Sequence, residues 1–254
     1  MAFALLFSTV MGLVLAVNFV PLLTVVVVPA VPLLSLGFMI ATRKVLDGGF
    51  PTPQVFIDPV QLDRPRRIAH LRLGLIYMAA TFAITALVTL IDGDGPAMLL
   101  ESMPAASAPG AATPASAPEA AAAFAATPEA LLGMTLRFAL AGVLAIPFWH
   151  APALVHWGGQ GCAQALFSST LACWRNRAAF AVYFLAWFAI VLGCSVLGSL
   201  ILMLFGQAQL MMGAIIPLAL IVGTMFYASL YFTFADCFAS DDGQPLPLPR
   251  VNPA

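Results

Sequence analysis

Charge is scarce in this sequence: 8% of its 254 residues are Asp, Glu, Lys or Arg, against 62% that are hydrophobic. A soluble domain carries about 25% charged residues. A chain this poor in charge cannot cover a water-facing surface, so much of it must face lipid. The net charge of −1 and the lack of Lys/Arg clusters outside one loop argue against a nucleic-acid partner. No CxxC pair links Cys162, Cys173, Cys194 and Cys237, so neither a zinc site nor a redox pair is suggested. In apolar segments such thiols act as small hydrophobes. The sequence holds no HExxH, no GxSxG elbow and no Walker-type glycine loop, and no span contains paired carboxylates suited to a proton relay. These absences predict a protein that is not an enzyme and has no metal or cofactor. Asp236 is the nearest acidic candidate, and a position at a membrane interface explains it equally well.

What the sequence has is long uncharged runs, giving a mean hydropathy of +1.00. About 20 residues cross the roughly 30 Å of bilayer hydrocarbon. Ala2–Thr42 has 41 residues without a charge, too long for one crossing and enough for two. Asn18 and Pro21 suit a turn near its middle, which predicts spans over about 2–18 and 22–44, the second bent at Pro29 and Pro32. A third span lies between Arg72 and Asp92. A fourth runs from Glu129 to about His150, with Pro147 and Pro152 bending its end. The 58 uncharged residues from Ala178 to Ala235 divide at Gly206–Gln209 into a fifth span (178–205) and a sixth (210–235). The start has no basic n-region and no clear cleavage site, which argues against a signal peptide.

The expected architecture is therefore all-α, a polytopic transmembrane bundle of about six spans. Residues 1–92 hold three spans and a basic loop, and 93–128 form an external low-complexity loop rich in Ala and Pro. Residues 129–238 hold three more spans, and 239–254 are a flexible tail. Arg43, Lys44, Arg64, Arg66, Arg67 and Arg72 cluster between the second and third spans, Arg175 and Arg177 precede the fifth, and Arg250 is in the tail. By the positive-inside rule these regions and both termini are cytoplasmic, and the 93–128 loop, with no Lys or Arg, is outside. Arg137 is the tenth basic residue. It either lines a cavity or snorkels to the outer interface, and the uncharged part of its span begins only at Phe138.

The segment from Pro147 to Arg177 is the most informative. After Trp149, His150, His156 and Trp157 come Gly158, Gly159 and Gly161, then a stretch with Leu166, Phe167, Leu171 and Trp174 at helical spacing. Gln164, Ser168, Ser169 and Arg175 are their polar companions. This predicts a short cytoplasmic interfacial helix before the fifth span, with the tryptophans at headgroup level. His150 and His156 are six apart, about 240° net on a helix, so they do not share a face. The bent end of the fourth span and the interfacial helix could frame a groove for a lipid or partner, involving Trp149, His150, His156, Trp157, Trp174, Arg175 and Asn176, with Arg137 as a further candidate. The alternative is an element that merely seats the fifth span.

At this segment the chain resembles a family of uncharacterised proteobacterial inner-membrane proteins. The resemblance rests on Phe148-Trp149-His150-Ala151-Pro152-Ala153-Leu154-Val155, on Ala165-Leu166-Phe167 with Ser169, and on Cys173 to Arg177 with Phe180. Leu36-Gly37-Phe38-Met39 and Asp47-Gly48-Gly49 are similar too, so the likeness spans about residues 20–238. A looser form of the pattern resembles the membrane domain attached to some glycerophosphodiester phosphodiesterases, whose catalytic domain has no counterpart here. The chain departs from the family at its start, where an amphipathic lead-in is not seen. The resemblance implies a helical inner-membrane protein without an assigned activity. Two functions are therefore expected: a non-catalytic accessory or lipid- and protein-organising membrane protein, or else a small-solute or lipid transporter or channel. The partners expected are the bilayer, a membrane protein or a bound lipid.

Overall fold

The computed structural model describes residues 21–92, 128–205 and 208–238, and among these every long element is an α-helix and none is a strand. Helix α1 is Pro21–Leu46, α2 Arg64–Asp92 and α3 Pro128–Phe148. Three helices follow closely: α4 (Ala151–His156), α5 (Cys162–Arg175) and α6 (Arg177–Phe205), with α7 (Ala208–Phe238) last. Five stretches are long and apolar enough to cross a membrane: Thr24–Leu46, Arg64–Leu90, Leu131–His156, Arg177–Gly198 and Leu218–Phe238. The expected span over 2–18, the expected loop 93–128 apart from its last residue, and the expected tail 239–254 lie outside the described residues.

Two compact units separate, one from Met1–Tyr77 with Ile146–Ala254, the other from Met78–Ala145. The second contains the later turns of α2 and most of α3. Along α2, Thr85 and Thr89 return their hydroxyls to the carbonyls of Thr81 and Thr85 (2.9 and 2.8 Å), which satisfies both hydroxyls without leaving the helix.

The first unit holds the joint that the functional residues share. Here α1 packs on α7 and on α4, and α4 packs on α5. Leu36, Phe38, Met39 and Ala41 of α1 are buried, as are Leu230, Tyr231 and Phe234 of α7. α1 ends where Gly48 takes a left-handed conformation (φ +80°) and the Gly49 amide closes on the Lys44 carbonyl at 2.8 Å, a glycine C-cap. Two 3-10 turns, Pro53–Phe56 and Asp58–Val60, then fold back on α1 and bury Val55 and Pro59. Gly37 makes room for the Phe56 ring, and Gly74 of α2 lies against the Pro29 carbonyl, where any side chain would collide. The proline-bearing part of α1 and the first turns of α2 therefore meet backbone to backbone, as small residues permit.

Two expectations shift. α2 starts at Arg64 rather than Arg72, because Arg64, Arg66 and Arg67 belong to its first turns instead of a loop. Charge at a helix end is compatible with a span when long side chains can reach water. Ser169, expected on a polar face, is wholly buried.

Candidate functional site

The burial of Ser169 follows from the break between α3 and α4. In an unbroken helix the His150 amide would donate to the Ile146 carbonyl. Instead it donates to Ser169 Oγ at 3.0 Å, and that hydroxyl donates on to the Ile146 carbonyl at 3.1 Å. A side chain from α5 thus replaces one rung of the ladder, one of the known causes of a sharp kink. Pro152 occupies the first turn of α4, where a missing N–H costs nothing. Cys173 Sγ also approaches the Ile146 carbonyl, at 3.7 Å. Burial pushes the Cys173 thiol up to about 12, so it remains a neutral donor. Burial likewise raises Cys162, with Arg72 opposing.

The candidate residues divide among three environments around this joint. Trp149 donates its indole N–H to Thr233 Oγ1 at 3.2 Å, and its ring meets Phe180, Phe184 and Phe226 edge-on with centroids 5.3–6.1 Å away. His150 is fully buried beside Phe180, Phe234 and Phe238, and neither ring nitrogen has a partner. An imidazole so placed is a destabilising feature unless something satisfies it.

His156 and Trp157 belong to a second cluster. Trp157 packs on Phe234 (5.2 Å) and the Arg43 guanidinium lies over it at 5.7 Å. Arg66 donates to the His156 carbonyl at 3.2 Å and pairs with Asp63 at 3.3 Å. Gly159, at φ +64°, brings the backbone against the same guanidinium. The ring of His70, from the first turns of α2, is 6.4 Å from that of His156. Both His70 nitrogens, His156 Nδ1 and Gln160 Oε1 are buried without partners. Two imidazoles next to Arg66 and Arg43 make a poor cation site, and among the described residues no three His, Cys, Asp or Glu side chains come together to hold a metal. Periodicity within one segment gives no sign of this pair, since its members come from helices 86 positions apart in the chain.

The third environment is the edge of the joint. Trp174 and Arg175 are exposed, and Asn176 links α5 to α6: its backbone and side-chain N–H groups both donate to the Ala172 carbonyl (3.1 and 3.0 Å). Asn176 also opens a cavity of about 300 Å³ between the start of α6 and the end of α7. A second cavity, about 420 Å³, lies between Arg72 and Ile76 of α2 and the first turn of α5. Arg137 belongs to the other unit, half-buried on α3.

The joint coincides with the residues that carry the family resemblance: Phe148 to Val155, Ser169 and Cys173 are its parts. A probable inner membrane protein of Burkholderia thailandensis is 31% identical to this chain over 261 residues, covering 99% of the chain and 90% of that protein. No family model and no solved structure matches. The looser likeness to the phosphodiesterase membrane domain has no counterpart among these matches.

Proposed function

The chain belongs to the family of that probable inner membrane protein, and from this membership we propose that it is a non-catalytic, six-span inner-membrane protein that organises lipid and protein neighbours at its basic end. The count adds the apolar stretch 2–18 to the five long helices. The basic residues then put both termini, the 43–72 loop and Arg175–Arg177 in the cytoplasm. The non-catalytic reading rests on the sequence, in which no nucleophile and base can be paired.

The observation that carries the proposal is the polarity of α5. It buries Ala165, Ser169, Ala172 and Cys173 against the joint and turns Phe167, Leu171 and Trp174 outward, with Phe167 and Trp174 each 69% exposed. A helix in water does the reverse. Large apolar side chains facing outward beside Arg175 and Arg177 suit a helix lying at headgroup depth, which meets lipids and other membrane proteins side-on. Native mass spectrometry of the protein extracted with its own lipids tests this. Stoichiometric retention of a lipid or membrane protein is the expected result, and solute flux through the purified protein in liposomes would contradict it. The transport alternative draws on the buried His70–His156 pair, in which both His70 nitrogens and His156 Nδ1 have no hydrogen-bond partner. It predicts flux that His70→Ala and His156→Ala abolish.

A further inference from the structure

The cavity between α6 and α7 has a polarity gradient suited to one kind of ligand. One wall is Asn176, at the joint before α6, with Phe180 and Tyr183 of α6, and the other is Thr233, Asp236 and Cys237 of α7. Spacings of three and four residues keep each set on one helix face. Asn176 and Asp236 sit at the end next to Arg175 and Arg177, and Tyr183 lies two turns deeper into the span.

Most of the polar groups are already engaged. Thr233 receives the Trp149 indole and donates to the Leu230 carbonyl at 2.8 Å. The Tyr183 hydroxyl is 2.7 Å from Ser229 Oγ. The Asn176 amide nitrogen is used by Ala172 O and Cys237 Sγ, which leaves its oxygen as an acceptor. Asp236 has no ion pair among the described residues, and the nearby Arg177 turns to Trp174 instead, donating to its carbonyl at 3.4 Å with the guanidinium 5.9 Å from the ring. What the mouth offers a ligand is therefore a carboxylate and an amide oxygen, with no cation in the lining and aromatic side chains deeper in it.

We propose that this groove binds the primary-ammonium headgroup of a phospholipid such as phosphatidylethanolamine. A primary ammonium has three N–H donors for Asp236 and Asn176. The Phe180 ring, one turn below Asn176, adds an aromatic group near the ammonium, and the deeper wall at Val182 and Tyr183 accepts the start of an acyl chain. Arg175 and Arg177, flanking Asn176 in the chain, supply positive charge for the lipid phosphate. A quaternary ammonium cannot donate, and a glycerol headgroup has no positive charge, so both should bind less well. The proposal rests on the lipid-organising reading and names its ligand.

The test is native mass spectrometry of the full chain in nanodiscs containing equal amounts of phosphatidylethanolamine, phosphatidylcholine and phosphatidylglycerol. One phosphatidylethanolamine per chain should be retained, at least about tenfold over the other two, and Asp236→Asn should remove that preference. Ala179→Leu, at an exposed position in the same lining, should release the lipid whatever its headgroup. The headgroup series needs no variant, so a folding defect in Asp236→Asn leaves the test intact. Equal retention of all three lipids overturns the proposal while the lipid-organising reading stands. A stoichiometric protein held in place of lipid also overturns it. Solute flux in liposomes is the separate result that would sink the broader reading.

Discussion

The short helix α4 and the long helix α6 are built for opposite surroundings. α4 has six residues and buries five of them, with His150 at its cap fully enclosed. α6 crosses from Arg177 to Gly198 without burying one residue, and presents Val182, Leu185, Phe188 and Leu197 outward, each at least 60% exposed. An isolated six-residue helix has no stability of its own, so tertiary packing and a borrowed hydroxyl hold α4. A 29-residue apolar helix is satisfied along its own backbone and asks only for lipid. Specificity in this protein is therefore concentrated at the basic-end joint, and the outward face of α6 is tolerant.

Removing the ring that closes the joint is the strongest way to break this comparison. Trp157→Ala, which leaves Phe234, Tyr231 and Arg43 without their common partner, should cost about 3–5 kcal/mol in detergent unfolding. Ser169→Ala strands the buried His150 amide, while the Ile146 carbonyl keeps the Trp149 amide and the Cys173 thiol, so the cost should be about 1–3 kcal/mol, and Ser169→Thr should recover part of it. His150→Leu sharpens the comparison in the other direction. With both nitrogens unpartnered, an apolar replacement should be neutral or stabilising by about 1 kcal/mol. A clear loss would mean that a water or ligand satisfies the ring in the membrane. The smallest effect belongs to α6, where Leu185→Ala should stay within about 0.5 kcal/mol.

Chemistry gives a further contrast. A thiol whose pKa is raised keeps its proton longer as pH rises. Cys173, pushed up to about 12 by burial, should therefore stay unalkylated by maleimide at pH 8 in the folded protein. Its labelling rate, read by peptide mass spectrometry, should still be climbing beyond pH 9, where an ordinary thiol levels off. Levelling near 9 would place the thiol in water and α5 away from the joint.

Charge spacing and uncharged runs located α1, α6 and α7 to within a few residues, since lipid imposes both length and composition. They misjudged the start of α2, because Arg64, Arg66 and Arg67 look like loop to a rule that reads charge as exit from the bilayer. The candidate residues from Trp149 to Asn176 are legible as a dense segment. How they divide is not: a serine that plugs a broken helix and a polar serine at an interface have the same local sequence. The His70–His156 pair and the facing of Asn176 with Asp236 depend on contacts between distant segments, which no periodicity encodes. Pro147 and Pro152 announced a kink, but not that Ser169 would bridge it.

The orientation of α5 carries the account, and a nitroxide scan from Leu166 to Trp174 in lipid vesicles reads it directly. Labels at 167, 171 and 174 should collide with oxygen at depths of about 5–10 Å below the phosphates, and a label at 169 should be shielded. If the three outward positions instead met only water-soluble nickel, α5 would lie clear of the bilayer, and the proposed organising role at the interface would be wrong.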